Sequence, residues 1–122
     1  MTATRTRRDL VTHALGDLGI LAAGQDPEAE DFDTVDEHVE PTIAMLTARD
    51  LPGIPDIDDI DEIPLEVFLP LAILLADQAA SHFGLVGVPA PPGVDPVLEA
   101  ETRLREVGYT RPTYEPLRTE WF

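Results

Sequence analysis

Hydrophobic residues recur at helical spacing in four segments of the chain. The apolar face of the first segment consists of Leu10, Val11, Ala14, Leu15 and Leu18. Thr6 precedes this segment and Asp9 stands three residues further on, a spacing typical of an N-terminal capping box. Gly19 is a residue type that ends helices in the left-handed conformation. We therefore predict an amphipathic helix between Thr6 and Gly19.

A second helix is predicted after a turn at Gly24, with Asp26 as its N-cap. Pro27 then takes the first helical position, where its missing N–H has no helical partner to lose. Its apolar face consists of Phe32, Val35, Val39, Ile43 and Leu46. Pro41 interrupts this helix at a cost of about 3 kcal/mol. We expect a kink or a break there, and the continuous apolar stripe favours a kink.

The third predicted helix is the most apolar. It begins at Pro64, runs to about Phe83 and stops at Gly84. Its buried face is expected to contain Val67, Phe68, Leu71, Leu74, Leu75 and Ala79. Pro70 lies in its second turn and predicts an irregular start. This helix is expected to occupy the centre of the protein.

Asp95 and Pro96 predict the start of a fourth helix, which ends at Gly108. Its apolar face consists of Val97, Ala100, Leu104 and Val107. No segment shows a strand pattern. The predicted fold class is all-α, a small bundle of about four helices with an extended C-terminal arm. The helical domain covers residues 1–108 and the arm covers residues 109–122.

The charge balance narrows the choice of partners. The chain has 24 acidic residues, eight arginines, no lysine and a formal net charge of −16. Such a field repels phosphate and argues against ordinary nucleic-acid binding. A salt-adapted or high-GC host would favour the same composition, so the acidity has two open explanations. The longest apolar run, 67–76, is shorter than the ~20 residues of a membrane span, and no membrane partner is expected.

Candidate chemical sites are sparse. His13 and Asp17 lie one helical turn apart, the spacing of an ion pair or of half a metal site. His38 and His82 have no adjacent partner that completes a ligand set, and the acidic run at 56–62 does not fit a calcium-binding loop. The chain has no cysteine. We predict no metal site, no cofactor and no catalytic residue, and thus a protein that is not an enzyme.

Acidic residues line one face of the second predicted helix. They are Glu28, Glu30, Asp31, Asp33, Asp36, Glu37 and Glu40. One interpretation is an ordinary solvated helix surface. The other is a surface that faces a polyanion without binding it. The sequence leaves both open.

The C-terminal arm is rich in residue types found at binding hot spots. It contains four of the seven aromatic residues, and its prolines stiffen the chain and reduce the entropy lost on docking. Docking on another chain is favoured over folding back on the protein's own helices. The candidate docking residues are Tyr109, Arg111, Pro112, Tyr114, Pro116, Leu117, Arg118, Trp121 and Phe122.

Two blocks of the sequence suggest a family. The block "RDLVTHALGDLGILAAGQDPEAED", residues 8–31, carries Leu18, Gly19, Ile20, Ala22, Ala23, Gly24, Pro27 and Glu30. The block "DEIPLEVFLPLAILLADQAASHFGL" covers residues 61–85. Both resemble segments of the head–tail adaptor proteins of tailed bacteriophages and gene transfer agents. The group typified by the tail accessory factor of short-tailed phages is the most similar.

This resemblance implies a structural protein of the virion, located at the head–tail interface and assembled in the host cytoplasm. Family members form a ring of about twelve copies below the portal protein, with closed symmetry. The ring continues the DNA channel towards tail nozzle or tail-tube proteins, and DNA passes without specific binding. The implied portal anchors are Tyr109, Tyr114, Leu117, Trp121 and Phe122, with Arg111 and Arg118 pairing with portal acids.

Two other interpretations stay open. The first is a free acidic helical inhibitor or DNA mimic, in which the acidic residues themselves bind a basic partner. The second is a salt-adapted helical domain whose arm covers its own core. Within the adaptor interpretation, the loops at 50–63 and 84–94 are both candidates for the contact with the tail.

Overall fold

The computed structural model describes residues 4–22, 24–51, 54 and 61–110, and within them the fold is all-α, as predicted. All four predicted helices are present, the second as two segments. The predicted extended arm, from residue 111 onward, lies outside the described residues. The elements in chain order are β1 (Thr4–Arg5), α1 (Arg7–Asp17), α2 (Ala29–Asp36), α3 (Val39–Ala48), β2 (Ile63–Pro64), α4 (Leu65–Ala79), a 3-10 helix (Ala80–Phe83) and α5 (Pro96–Thr110).

Helix α4 is the centre of the bundle. It packs most extensively against α5 and α1, and it also contacts α2 and α3. The whole predicted face of α4, from Val67 to Ala79, is buried. Pro70 is buried within the helix, which begins at Leu65 without a break. The core therefore forms around the most apolar segment of the sequence, as its composition indicates.

The predicted caps of α1 and α5 are confirmed. The Asp9 N–H donates to Thr6 Oγ1 at 3.1 Å, and the Thr6 N–H donates to Asp9 Oδ2 at 3.3 Å. The Leu98 N–H donates to Asp95 Oδ1 at 3.1 Å. Gly84 takes a left-handed φ of 76° after the 3-10 helix, so the glycine stop after α4 is also correct.

The predicted course of the second helix is wrong in two respects. Helix α2 begins at Ala29, and its N-cap is Glu28, which makes no side-chain hydrogen bond, rather than Asp26. The chain then breaks at Glu37 and His38 instead of kinking at Pro41. Pro41 has no N–H to donate to the carbonyl of Glu37, and its ring clashes with that group in a continuous helix. The break therefore falls one turn before the proline.

Two smaller features were not predicted. Thr4 pairs with Pro64 and Arg5 with Ile63 in a short antiparallel ladder. Two-residue strands have no period that a sequence pattern could reveal. Helix α5 also continues past Gly108 to Thr110, so the predicted boundary at 108 is too early and Tyr109 belongs to the helix.

One described stretch meets the length and composition criteria for a membrane span. It is Leu65–Phe83, 19 residues with a mean hydropathy of 1.2. Its most apolar residues pack against α1 and α5 in the core. Burial inside the bundle accounts for the composition of this stretch.

Candidate interaction surfaces

The predicted acidic face is divided between α2, α3 and the turn that joins them. Asp31 and Asp36 are half-buried. The others are exposed to solvent: Glu28, Glu30, Asp33, Glu37 and Glu40. Since the helix breaks between Glu37 and Val39, these residues do not form the single straight face that the sequence predicts.

Arg7 neutralises part of this surface. Its Nε donates to Asp36 Oδ1 at 2.7 Å, its Nη2 donates to the Asp36 carbonyl at 3.1 Å, and its Nη1 lies 3.4 Å from Glu40 Oε1. The hydrogen bond to Asp36 is the largest factor that raises the pKa of Arg7. Helix α1 is thereby tied to α2 and α3 through one side chain, and the sequence spacing of 29 residues gave no sign of it.

Other arginines near the N-terminus lie over aromatic rings. The guanidinium of Arg5 is 5.5 Å from the centre of the Phe68 ring, and that of Arg8 is 5.2 Å from the centre of the Phe32 ring. Both distances fall in the range of cation–π contacts. The three arginines near the N-terminus therefore all make contacts within the fold, and Arg7 is the one that pairs with the acidic residues Asp36 and Glu40.

The histidines occupy two separate places. His13 Nδ1 lies 3.3 Å from Asp17 Oδ2, the geometry of an ion pair. The rings of His38 and His82 meet edge to face, with centres 4.8 Å apart. His38 Nδ1 donates to the Thr34 carbonyl at 2.8 Å. The sequence analysis missed the contact between His38 and His82, since 44 residues separate them and nothing in their spacing indicates it. Within the described ranges, no three histidine, cysteine or acidic side chains converge as a metal site.

An apolar groove lies between the first turns of α4 and the last turns of α5. Its volume is about 440 Å³. It is lined by Leu65, Glu66, Leu69, Pro70, Arg103, Glu106 and Val107. Leu65 and Leu69 are 45% and 48% exposed, although they belong to the most buried helix. The start of α4 meets the end of α5 in this groove, so the two helices run antiparallel.

The opposite end of α4 carries the loop 84–95. Val86 is fully exposed near the start of this loop, and Val94 is 44% exposed near its end. Asp77 lies beside this loop, with its Oδ1 3.1 Å from the position that a Cβ on Gly87 would occupy. Burial, followed by the charge of Asp95, raises the pKa of Asp77. In the loop at 50–63, the described apolar residues Leu51, Ile54 and Ile63 are buried, while Asp50, Asp61 and Glu62 are exposed.

The predicted docking residues lie almost entirely beyond the described residues. Tyr109 is within α5, and no contact of its side chain is described. The remaining candidates are outside the described ranges: Arg111, Pro112, Tyr114, Pro116, Leu117, Arg118, Trp121 and Phe122. Comparison with protein-family models, with curated proteins and with solved structures finds no match for this chain.

Proposed function

We propose that this protein is a head-to-tail adaptor of a phage-like particle. Copies of the chain would form a ring below a portal protein, join it to tail nozzle or tail-tube proteins, and continue the DNA channel between them. The proposal starts from the resemblance of residues 8–31 and 61–85 to such adaptors. The all-α bundle agrees with that resemblance.

The observation that carries the proposal is the placement of two possible contact regions at opposite ends of one helix pair. Helices α4 and α5 are antiparallel, and the chain leaves α5 at Thr110, beside the start of α4. The loop 84–95 joins the other ends of the same helices. An adaptor needs two separate surfaces, one for each neighbour. The arm would dock on the portal, and the loop with the exposed Val86 would meet the tail.

The exposed apolar residues of one loop support it as the tail contact. The described part of the 50–63 loop places Leu51 and Ile54 in the core, while the 84–95 loop exposes Val86 and Val94. Exposed apolar side chains gain more from a protein partner than buried ones do. We therefore assign the tail contact to the 84–95 loop.

The acidic surface fits a DNA conduit. Among the described residues, the exposed carboxylates of α2 and α3 form one ion pair with an arginine, that between Arg7 and Glu40. In a ring, such surfaces would repel phosphate and let DNA pass without sticking. The same residues would be the binding groups of a DNA mimic, so the acidic surface alone does not separate the two functions.

The test is to mix the protein with the portal ring encoded by the same genome and to weigh the complexes by native mass spectrometry. The full chain is compared with a chain that ends at Thr110, which keeps α5 intact. We expect the portal ring to bind enough copies of the full chain to form one complete ring, and to bind no copy of the shortened chain. A double variant, Trp121→Ala with Phe122→Ala, should also fail to bind. Its matched control, Thr113→Ala with Thr119→Ala, should bind as the full chain does.

Three other results have distinct meanings. Equal binding by the full and shortened chains would support the ring below the portal but would show that the arm does not make the portal contact. Binding that falls steeply with salt and is lost on neutralising Glu30 and Asp33 would favour the acidic inhibitor instead, since exposed charge pairs are strongly screened. No binding under any condition would refute the adaptor.

A further inference from the structure

The groove between α4 and α5 exposes apolar surface that the bundle does not use. Leu65 and Leu69 are each about half exposed in a helix whose other leucines, such as Leu71 and Leu75, are buried. The groove volume of about 440 Å³ is within the ~300–1,000 Å³ typical of sites that receive a ligand or a large side chain. The rim carries side chains of both charge signs, the acids Glu66 and Glu106 and the base Arg103.

The segment nearest to this groove in the chain is the arm itself. Arg103, Glu106 and Val107 line the groove, and α5 ends at Thr110, one turn later. The step from Thr110 back to the groove is about 5–10 Å along the helix. Proline disfavours the helical conformation in the residue before it, so Pro112 gives the chain a place to turn back. The arm from 111 to 122, at up to ~3.5 Å per residue, is much longer than the return path.

The chemistry of the arm complements the groove. Tyr114, Leu117 and Trp121 are large apolar or amphipathic side chains, suited to cover Leu65 and Leu69. Arg118 in the arm can pair with Glu66, and Glu115 or Glu120 can pair with Arg103. These pairs would set the direction of the arm, while burial of the leucines and aromatic rings would supply most of the favourable free energy.

Two physical arguments favour the chain's own arm over the arm of a second copy. A short tether holds the arm near its own groove at an effective concentration of order mM. A second copy must instead approach a molecule of the same net charge, −16, and this repulsion opposes association. We infer that, in the isolated protein, residues 111–122 dock in the groove lined by Leu65 and Leu69 of the same chain.

Such docking would keep the aromatic residues of the arm covered until a partner offers a better surface. The release step rests on the proposed adaptor function, whereas the docking itself does not. An undocked arm would expose its aromatic residues to other apolar surfaces before the portal is reached. A docked arm prevents this, and a portal surface that binds the arm more tightly displaces it from the groove.

The chain contains one tryptophan, Trp121, which makes the inference directly measurable. Its fluorescence reports whether the arm is in water or covered by protein. In the isolated full chain, we expect blue-shifted emission and protection from acrylamide quenching. Leu69→Glu places a charge in the groove and should shift the emission to the red and remove the protection. Circular dichroism should show unchanged helix content, since Leu69 is only half buried.

Val86→Glu is the matched control. Val86 is also an exposed apolar residue, but it lies past the other end of α4, roughly 20 Å from Leu69 along the helix axis. Its variant should keep the emission of the parent chain. A hundredfold dilution of the protein should leave the emission and the protection of Trp121 unchanged if the arm docks in its own chain.

Each alternative result overturns the inference. Red emission from the unaltered chain would show an undocked arm, and retained protection in Leu69→Glu would show that the arm docks elsewhere. Protection that is lost on dilution would identify a second copy as the occupant. None of these measurements contains the portal, so a failed portal experiment leaves them valid. Conversely, Leu69→Glu is expected to bind the portal ring more tightly than the parent chain, because its arm does not have to leave the groove first.

Discussion

Helix α4 and the pair α2–α3 each contain one proline and respond to it in opposite ways. Helix α4 runs unbroken from Leu65 to Ala79 with Pro70 buried inside it. The chain at Pro41 is broken one turn earlier, at Glu37 and His38. In both places the proline withholds an N–H from the carbonyl four residues before it. The local chemistry is the same, so the difference must come from the surroundings.

The surroundings differ in how many elements hold each segment. Helix α4 contacts α1, α2, α3 and α5, and its buried face extends from Val67 to Ala79 on both sides of the proline. The pair α2–α3 has only a narrow buried stripe and an exposed acidic face. Packing along the whole length of α4 outweighs the cost of about 3 kcal/mol that a proline imposes in a helix interior. The pair α2–α3 lacks that support and breaks.

The same substitution in both regions tests this comparison and should give the largest effects. Leu75 in α4 and Leu46 in α3 are 1% and 0% exposed. Leucine-to-alanine changes in cores lower the free energy of unfolding by about 2–5 kcal/mol. We expect Leu75→Ala near the upper end, because α4 is enclosed on several sides, and Leu46→Ala near the lower end. Urea unfolding monitored by circular dichroism measures both losses, and equal losses would contradict the proposed asymmetry.

The second prediction concerns the polar attachment of α2–α3 to α1. Arg7→Gln removes the contacts with Asp36 and Glu40. The side chains of Arg7 and Asp36 are 25% and 34% exposed. Because solvent screens such a pair, we expect the free energy of unfolding to fall by about 1 kcal/mol. Arg105→Gln removes the same charge from an exposed position on α5 and controls for the general effect of charge. If both variants lower the free energy of unfolding by the same amount, the contacts of Arg7 with Asp36 and Glu40 do not stabilise the fold.

The helices and their apolar faces could be read from the sequence because local spacing encodes them. Leu10, Ala14 and Leu15 of α1 are buried as predicted, and the Thr6–Asp9 capping box is present. These features depend on residues within one or two turns of each other. The end of α5 was placed too early at Gly108 because a glycine permits a helix to end without requiring it.

Features that depend on distant residues could not be predicted. The Arg7–Asp36 contact, the ring contact of His38 with His82 and the groove at Leu65 all join separate elements. The predicted buried face of α4 left out Leu65 and Leu69, and both are about half exposed. The groove beside them depends on where α5 lies against α4, which no local spacing indicates.

The third prediction compares a partly buried acidic residue of α4 with an exposed acidic residue of α2. Asp77 is the acidic residue in the last turn of α4, and burial raises its pKa above the ordinary value of 3.8. The ionised form is therefore disfavoured in the folded state, and this penalty appears as the pH rises through the raised pKa. Asp77→Asn should raise the unfolding temperature at neutral pH and have no effect below pH 3.8. Asp33→Asn, on the exposed face of α2, measures the general benefit of removing one negative charge from this chain. The two variants should differ at neutral pH, and equal gains would mean that burial of Asp77 has no role.

The smallest expected effect belongs to His13, on the helix that joins the two regions. The hydrogen bond that His13 donates to Asp17 raises the pKa of His13, while partial burial and the charge of Arg5 oppose the increase. Protonated His13 therefore stabilises the fold fully below its unfolded pKa of 6.5, and this contribution is lost as the pH rises through the higher folded pKa. The difference in unfolding temperature between the parent chain and His13→Gln should be largest below pH 6.5 and should shrink above it. Asp17→Asn should remove the same pH dependence while keeping the edge contact between the His13 and Phe68 rings. A pH-independent difference would show that His13 acts only through its contact with Phe68.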